Sequence, residues 1–197
     1  VYIPGVSIQI EHMRNYIYGP SFAHVIGYVS EISEEELNNK KKFKDYSPGD
    51  YVGKYGLEKT YEQYLRGVDG EKRVEVDATG REVRTLDIIE PTPGNSLYLN
   101  IDLDLQLIAD KAIENKRGGV VALDPKTGGV VVLASRPGFD PNRFTSGISK
   151  DDWKTISADK GHPLQNKAIQ AGYPPGSTFK ILMAIAAMEE GALNEHT

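Results

Sequence analysis

The sequence predicts an α+β fold, because pairs of short β-branched runs alternate with segments that carry helical signals. The first pair is Arg73-Val-Glu-Val-Asp77 and Arg81-Glu-Val-Arg-Thr-Leu86, which Thr79-Gly80 would join as a charged hairpin. The second pair is Val120-Val-Ala-Leu123 and Val130-Val-Val-Leu133, with the turn-forming run Asp-Pro-Lys-Thr-Gly-Gly between them. With 197 residues, 39% of them hydrophobic and 26% charged, the chain can bury a core and form one or two domains.

The part of the chain up to about residue 95 combines short strand and helix signals. Val6-Ser-Ile-Gln-Ile10 alternates as a half-buried strand does, and Ser33-Glu-Glu-Glu36 is a capping box that opens a short acidic helix. Residues 56–66 predict a further helix, which Gly67 ends. The inner face of that helix would consist of Leu57, Tyr61, Tyr64 and Leu65. No residue pattern here is typical of a catalytic site, so this part is interpreted as a structural module.

A linker divides the chain. Pro91-Thr-Pro-Gly94 contains two prolines and a glycine, which resist both helix and sheet. We therefore expect one domain over residues 1–95 and a second over residues 96–197.

The second part starts with a predicted strand near Leu97 to Ile101 and a helix from Asp102 to about Lys116. Aspartates in the first turn and basic residues in the last turn suit the helix dipole. The side chains expected to pack this helix onto the core are Leu105, Ile108, Ala109 and Ala112. Further along, Asp151-Asp-Trp-Lys-Thr155 predicts a short helix.

The run Tyr173-Pro-Pro-Gly-Ser177-Thr-Phe-Lys180 is the strongest candidate for a catalytic site. Ser177 and Lys180 stand three residues apart, which puts a hydroxyl and an amine on one face of a helix N-terminus. A lysine there is unfavourable for the helix dipole, but the positive end favours the neutral amine, which can act as a base. The backbone N–H of Ser177 would form half of an oxyanion hole. The pair therefore indicates a serine nucleophile with a lysine base.

Plainer interpretations of this run stay open. Ser177 is also a good helix N-cap, and Ser-x-x-Lys is a weak pattern that recurs by chance at Ser157-Ala-Asp-Lys160. The helix after the serine, Phe179 to Met188, is apolar around nearly its whole circumference. Such a helix is expected to be buried on all sides.

Several segments resemble one protein family, in the order in which they occur. Pro175-Gly-Ser-Thr-Phe-Lys180 resembles the active-site motif of penicillin-binding proteins. The surrounding sequence is similar to class B, monofunctional transpeptidases of the penicillin-binding protein 2 type. The other similar stretches are Phe22–Tyr28, Tyr55–Glu62, Leu65–Gly67, Val76–Gly80, Ile101–Gln106, Ala122–Gly128, Ser135–Asn142 and Pro163–Asn166.

The resemblance implies a pedestal (dimerisation-type) module over residues 1–95 and the leading part of a β-lactamase-like transpeptidase fold over residues 96–197. It also implies peptidoglycan cross-linking. Ser177 would attack the penultimate D-alanine of a stem peptide, with Lys180 as the candidate general base, and an amine of a neighbouring peptide would take the acyl group. β-Lactams mimic the D-Ala-D-Ala end and acylate the same serine.

The same resemblance implies the surroundings of the enzyme: the periplasmic side of the cell inner membrane, with a polytopic membrane glycan polymerase as partner. The family's N-terminal membrane anchor is not visible, and no Ser-x-Asn follows Ser177. Lys126-Thr127-Gly128 precedes the serine and is interpreted as the hairpin turn rather than the family's Lys-Thr-Gly strand. We therefore expect a chain trimmed at both ends that lacks the later active-site motifs.

Two alternative functions stay open. A β-lactamase or β-lactam sensor shares the Ser-x-x-Lys helix, although the long module ahead of it disfavours that interpretation. A non-catalytic scaffold fragment, which binds a membrane glycan polymerase, would account for the missing motifs.

Composition excludes several other classes. The net charge of −5 gives no sign of nucleic-acid binding, and without cysteine the chain can form neither a disulfide nor a thiolate zinc site. The four histidines lack the spacing of metal ligands. We expect no metal and no cofactor.

Overall fold

The computed structural model describes residues 13–194, 196 and 197, and these residues adopt an α+β fold, as predicted. In chain order the helices and strands are α1 (Ala23–Ile26), β1 (Tyr28–Glu31), α2 (Glu34–Asn38), β2 (Tyr51–Tyr55), α3 (Gly56–Thr60), α4 (Glu62–Leu65), β3 (Glu71–Val76), β4 (Glu82–Ile89), α5 (Leu103–Ala112), β5 (Gly118–Leu123), β6 (Val130–Arg136), α6 (Asn142–Thr145), α7 (Lys150–Ala158) and α8 (Phe179–Glu189), with 3-10 turns at Gly19–Ser21 and Gly176–Thr178. Within these residues the strands form separate antiparallel pairs, β1–β2, β3–β4 and β5–β6. The strand predicted at Val6–Ile10 lies outside the described residues.

The β1–β2 sheet carries a small core of its own. The buried apolar side chains of this core are Ile32, Phe43 and Val52. The predicted capping box is confirmed at the start of α2, where Ser33 Oγ accepts from the Glu36 N–H and the Glu36 carboxylate accepts from the Ser33 N–H. Beside this sheet the chain passes itself so closely that a Cβ on Gly27 would lie 1.8 Å from the Tyr55 carbonyl oxygen. Only glycine fits there.

The long helix predicted after β2 is two short helices, α3 and α4, which meet at Tyr61. The predicted inner face is wrong in part: Leu57 and Leu65 are half-buried, but Tyr61 and Tyr64 are exposed, and Glu58 is the buried residue. The Arg14 guanidinium approaches the Glu58 carboxylate to 3.0 Å, and the Tyr16 hydroxyl donates to it across 3.3 Å. Burial raises the pKa of Glu58, while Arg14 acts in the opposite direction. Polar contacts thus hold α3 where the pattern predicted apolar ones.

The charged hairpin is confirmed as β3–β4, and it is exposed on both faces over nearly its whole length. Ion pairs link the two strands, with Lys72 Nζ 2.8 Å from the Glu82 carboxylate and Arg84 Nε 2.6 Å from the Glu75 carboxylate. Because exposed ion pairs contribute little to stability, the backbone ladder holds this hairpin together.

Residues 91–102 form no regular strand. The predicted linker, Pro91–Gly94, contains a single β-bridge, from Thr92 to Val68. The strand predicted near Leu97–Ile101 is wrong: these residues form no ladder, and Tyr98 is 96% exposed. The backbone meets β6 only just after them, where the Asp102 N–H donates to the Val131 carbonyl at 3.0 Å. The domain boundary near residue 95 stays a prediction.

Helix α5 begins where predicted and ends earlier than predicted. Asp102 caps it by accepting from the Leu105 N–H at 2.9 Å. The predicted packing face is wrong: Leu105 is 48% and Ile108 65% exposed, whereas Gln106 and Asp110 are buried. The reason is that the described chain offers polar partners on one side of α5 and no covering element on the other.

The second hairpin is confirmed as β5–β6. Its turn is closed by Asp124, whose carboxylate accepts from the Lys126 N–H at 2.9 Å and from the Thr127 hydroxyl at 2.8 Å. These hydrogen bonds hold the pKa of Asp124 below its ordinary value. The triplet Lys126-Thr127-Gly128 is therefore a turn, as predicted.

The two parts of the chain share an apolar core. Phe139 and Phe144 of the second part pack with Ala23 of the first. Tyr28 stacks on Phe144 with ring centroids 4.1 Å apart, and the buried His24 ring lies edge-on to Phe139 at 5.3 Å. The core is thus continuous across residue 95.

Polar side chains of α5 complete the contact between the two parts; we call this cluster of Ser21, Gln106, Asp110, Leu133 and Arg136 the polar junction. Gln106 Nε2 donates to the carbonyls of Ser21 and Leu133, both at 2.9 Å, and Gln106 Oε1 accepts from the Leu133 N–H at 2.8 Å. Asp110 forms a largely buried ion pair with Arg136 and accepts from the Ser21 hydroxyl at 2.7 Å. Since buried polar groups are costly without partners, the junction specifies how the two parts pack.

We expect Gln106→Leu to lower the free energy of unfolding by about 3 kcal/mol, because it leaves three buried backbone groups without partners. Urea unfolding followed by circular dichroism measures the change. The control is Gln63→Leu, at an exposed position of α4, where we expect a change within about 0.5 kcal/mol. Equal losses in the two variants would contradict the role given to Gln106.

His24 makes stability depend on pH. Burial lowers the pKa of His24 from 6.5 to about 4, with the positive charge of Lys167 as the second cause. The carbonyls of Pro137 and Pro163 partly oppose this effect, but neither completes a hydrogen bond with the ring. Because the unfolded chain binds a proton on this histidine below pH 6.5 and the folded chain does not until about pH 4, stability is lost as the pH falls through that window.

We therefore expect the free energy of unfolding to fall as the pH is lowered from 6.5 to 4.5. The contribution of His24 to this decrease is at most about 3 kcal/mol, and His24→Leu should remove it, so that the free energy depends less steeply on pH. Chemical unfolding at four pH values measures it. His162→Asn changes an exposed histidine and should leave the slope in place. An unchanged slope in His24→Leu would contradict the assignment.

Candidate active site

Ser177 lies on the 3-10 turn Gly176–Thr178, which we call the serine turn and which runs directly into α8. Pro175 precedes the turn. Gly176 adopts a φ of +56°, in the left-handed region where a side chain with a Cβ is strained. The proline and the glycine therefore fix a sharp approach to the helix and present Ser177 at the surface.

The Ser177 hydroxyl does not cap the helix. The residue at the N-cap of α8 is Thr178, whose hydroxyl donates to the Pro175 carbonyl. Within the described chain the Ser177 side chain makes no capping hydrogen bond. The plain N-cap interpretation of Ser177 is therefore not supported, and the hydroxyl is free for other use.

Lys180 follows as the second residue of α8, and both Ser177 and Lys180 are exposed. Among the described residues, neither side chain forms a hydrogen bond or ion pair, either with the other or with a third group. Residues three apart on a helix are neighbours, and the N–H groups of a first helical turn lack intrahelical partners. The N–H groups of Thr178 and Phe179 are already bonded to carbonyls of the turn and its approach. The unpaired Ser177 hydroxyl and Lys180 amine, together with the Ser177 N–H, are the groups that serine acyl transfer requires.

Helix α8 is exposed around its circumference, so the expected burial on all sides is wrong for the described chain. Ile181 is 69% and Met183 53% exposed. The main contact of α8 is with the serine turn, and no larger described element lies over it. Apolar composition indicates that a helix needs cover, but it does not supply the covering element.

The second Ser-x-x-Lys occupies the wrong end of a helix. The helix predicted near Asp151 is confirmed as α7, which Ser149 caps by accepting from the Asp152 N–H at 3.0 Å. Ser157 lies near its C-terminus and donates to the Lys154 carbonyl at 3.2 Å. Free backbone carbonyls, not free N–H groups, stand at that end. This match therefore lacks the electrostatic setting of Ser177.

The chain reaches the serine turn through residues 163–171, which we call the lead-in segment. Its innermost residue, Asn166, is 1% exposed. Asn166 Nδ2 donates to the His24 carbonyl at 3.4 Å, and Asn166 Oδ1 accepts from the Ala168 N–H at 3.0 Å. The asparagine therefore joins the lead-in segment to α1.

Lys167, also buried, is held by carbonyl groups. Its Nζ donates to the carbonyls of His162 at 2.7 Å and Gln165 at 3.2 Å, and in the described part of the chain no carboxylate lies within ion-pair distance. Burial lowers the pKa of Lys167, and Arg117 lowers it further, while Asp159 acts in the opposite direction. The ammonium group thus stabilises the backbone turn over residues 162–165, at the start of the lead-in segment.

Sequence reasoning assigned no role to Asn166 or Lys167. Asn166 appeared only as the end of a stretch that resembles a family, and single polar residues in a proline-containing segment give no periodic signal. The partner of Asn166, His24, is 142 residues away in the chain. Only tertiary structure reveals such a contact.

Among residues 13–194, 196 and 197, no group of three or more His, Asp or Glu side chains is arranged to hold a metal ion. In the same part of the chain no helix has both the length and the apolar character needed to cross a membrane.

Two family models match the chain. Residues 1–99 match the Penicillin-binding Protein dimerisation domain. Residues 118–197, which include Ser177 and Lys180, match the Penicillin binding protein transpeptidase domain.

Known proteins similar to the chain agree with these matches. Peptidoglycan D,D-transpeptidase MrdA of Escherichia coli (strain K12) is 41% identical over 197 residues, which cover 98% of this chain and 31% of the relative. The penicillin-binding protein PBP2 in its complex with MreC from Helicobacter pylori has a TM-score of 0.78 and 37% identity, over 94% of this chain and 34% of that one. A third similar protein comes from a structure of a peptidoglycan synthase complex, described as showing the structural coordination of polymerization and crosslinking. The matching chain of that structure has a TM-score of 0.79 and 38% identity, over 94% of this chain and 34% of that one. The chain spans about a third of the length of these relatives.

Proposed function

The chain belongs to the penicillin-binding proteins, to those of the penicillin-binding protein 2 type, and from this premise we propose that the full-length protein is a peptidoglycan D,D-transpeptidase that acts through an acyl-enzyme on Ser177. The observation that carries the proposal is the uncommitted Ser177 hydroxyl at the start of α8, with Lys180 one turn further on. Both residues lie in the part of the chain that matches the transpeptidase domain.

Acylation would begin with Ser177 Oγ attacking the carbonyl carbon of the penultimate D-alanine of a stem peptide, while the hydroxyl proton passes to Lys180 Nζ. The carbonyl oxygen becomes an oxyanion, which accepts a hydrogen bond from the backbone N–H of Ser177. When the oxyanion collapses, the bond to the terminal D-alanine breaks and its nitrogen takes up the proton. The peptide is left as an ester on Ser177.

Transfer would reverse these proton movements. An amine of a neighbouring stem peptide attacks the ester carbonyl and gives up a proton, and the ester bond breaks to return the hydroxyl to Ser177. The net result is a new amide cross-link and one free D-alanine. A β-lactam would be opened by the same attack, but its leaving nitrogen stays tethered to the acyl group, so the adduct on Ser177 persists.

The proposal extends to location and partners. Family resemblance supports a site of action on the periplasmic side of the inner membrane. The similarity to a chain of a peptidoglycan synthase complex that coordinates polymerization and crosslinking supports a polytopic membrane glycan polymerase as partner. Residues 1–95 would supply the pedestal for that contact.

One alternative is favoured by a specific observation. In the described chain the Ser177 and Lys180 side chains are not joined by a hydrogen bond, and α8 is uncovered. This would also fit a non-catalytic scaffold that binds a glycan polymerase. A β-lactamase or β-lactam sensor, by contrast, would share the Ser-x-x-Lys chemistry and differ in what happens to the acyl group.

We expect the full-length protein to gain the mass of one benzylpenicillin, located on Ser177 by peptide mapping. Ser177→Ala should gain none. Lys180→Ala should slow acylation by about 10²- to 10⁴-fold, the usual contribution of a general base. Intact-mass spectrometry over time measures both effects, on the full-length protein and on the 197-residue chain side by side.

The matched controls are Ser157→Ala and Lys160→Ala, which change the second Ser-x-x-Lys and should be acylated at the wild-type rate. If the protein releases hydrolysed penicillin over many turnovers, its function is that of a β-lactamase and not the proposed transpeptidase. If the full-length protein is never acylated but binds a glycan polymerase, its function is that of a non-catalytic scaffold.

A further inference from the structure

The lead-in segment is tied to the first part of the chain at two points. Asn166 Nδ2 donates to the His24 carbonyl in α1 at 3.4 Å. The Tyr55 hydroxyl, at the end of β2, donates to Gln170 Oε1 at 3.5 Å, and the same oxygen accepts from the Asn166 N–H at 2.9 Å. Asn166 is therefore bonded directly to α1 and is linked to β2 through the Gln170 side chain.

The segment is also closed on itself and fixed to the β5–β6 hairpin. The Asn166 carbonyl accepts from the Gln170 N–H at 2.8 Å, and Asn166 Oδ1 accepts from the Ala168 N–H at 3.0 Å. The next residue, Lys167, donates its N–H to Ser135 Oγ in β6 at 2.9 Å. The four polar atoms of Asn166 thus all take part in hydrogen bonds, as a residue 1% exposed requires.

The chain beyond this point is exposed. From Gly172 to Lys180 every residue is exposed, and the serine turn packs mainly against α8. Asn166 and Lys167 are therefore the last buried residues before Ser177. In the described chain, the position of the serine turn relative to the core therefore depends mainly on the contacts of the lead-in segment.

We propose that Asn166 is a positioning residue for Ser177, which sets the place of the serine turn through hydrogen bonds to α1 and to Gln170. The inference rests on the proposed function, because it concerns the reactivity of the same serine. Acyl transfer needs the nucleophile and the carbonyl carbon about 3–3.5 Å apart, and a displacement of about 1 Å can cost about 10²-fold in rate. Loss of the Asn166 side chain should therefore slow the covalent step and leave non-covalent binding of the β-lactam unchanged.

The chain offers a matched control in Asn142. Its Oδ1 accepts from the Tyr16 N–H at 2.8 Å, and its Nδ2 donates to the Tyr16 carbonyl at 3.1 Å. Asn142 thus makes two amide hydrogen bonds between the same two parts of the chain, but it stands in α6 and makes no hydrogen bond with the lead-in segment. Asn142→Ala should destabilise the fold as Asn166→Ala does, without touching the approach to Ser177.

The experiment compares Asn166→Ala, Asn142→Ala and wild type in the full-length protein. Stopped-flow acylation by nitrocefin separates the dissociation constant from the acylation rate constant. We expect at least a tenfold lower rate constant in Asn166→Ala with a dissociation constant within twofold of wild type. Asn142→Ala should keep both values. Gln170 is exposed, so Gln170→Ala should fold, and we expect it to lower the acylation rate constant about threefold. This variant tests the proposal if Asn166→Ala does not fold.

Two acylation results would each overturn the proposal: a wild-type rate constant in both Asn166→Ala and Gln170→Ala, or an equal decrease in Asn142→Ala. Hydrogen exchange makes the test independent of acylation. Peptides that cover residues 172–183 should exchange faster in Asn166→Ala than in Asn142→Ala, and equal exchange would overturn the proposal. A wild-type protein that is never acylated would overturn the proposed function, while the exchange comparison would still decide whether Asn166 anchors the serine turn.

Discussion

The structure depends on the need to satisfy polar groups buried between its two parts. Gln106 is fully buried and holds backbone groups of both the first 3-10 turn and β6, and Asp110 beside it neutralises Arg136. A half-satisfied network of this kind would cost more than an apolar contact. The two parts can therefore pack in few ways, and the shared aromatic core of Ala23, Phe139 and Phe144 closes around that arrangement.

The candidate active site inherits its position from the same contact region. The lead-in segment lies against α1 and β6, the elements that also border the polar junction and the aromatic core. Ser177 itself is exposed and is held by local geometry, through Pro175, the positive φ of Gly176 and the start of α8. The geometry of the serine turn exposes the Ser177 hydroxyl, and the lead-in segment connects that turn to the core. The two requirements are separate, so substitutions can affect one without the other.

Three buried ionisable groups near the contact region are handled in different ways. Glu58 has Arg14 and Tyr16 as partners, Lys167 has only carbonyls among the described residues, and His24 stays neutral between aromatic rings. Burial raises the pKa of the acid and lowers the pKa values of the two bases. If His24 takes up a proton, its positive charge lies near the buried ammonium group of Lys167, and the repulsion between them costs stability. The protonation of His24 in acid therefore disturbs the same region that joins the lead-in segment to the core.

The sequence was sufficient to predict the features that depend only on residues close together in the chain. The capping box at Ser33, the helix start at Asp102 and the turn that begins at Asp124 were predicted and are confirmed, and each rests on hydrogen bonds within four residues. Both hairpins followed from composition and turn residues, and the Pro-Gly approach gave Ser177 and Lys180 their place at the start of a helix. These features could be predicted because local backbone geometry and short-range hydrogen bonds are sufficient to form them.

Tertiary structure alone decided which faces are buried. The expected apolar faces of α3–α4, α5 and α8 are largely exposed, and the strand predicted at 97–101 is absent from the described chain. In their place Glu58, Gln106 and Asn166 are buried, because partners 42, 85 and 142 residues away satisfy their polar atoms. Burial depends on what lies opposite a side chain, and periodicity describes only the side chain's own element. For that reason the sequence predicted Ser177 and Lys180, and only the packed chain revealed the asparagine that anchors their approach.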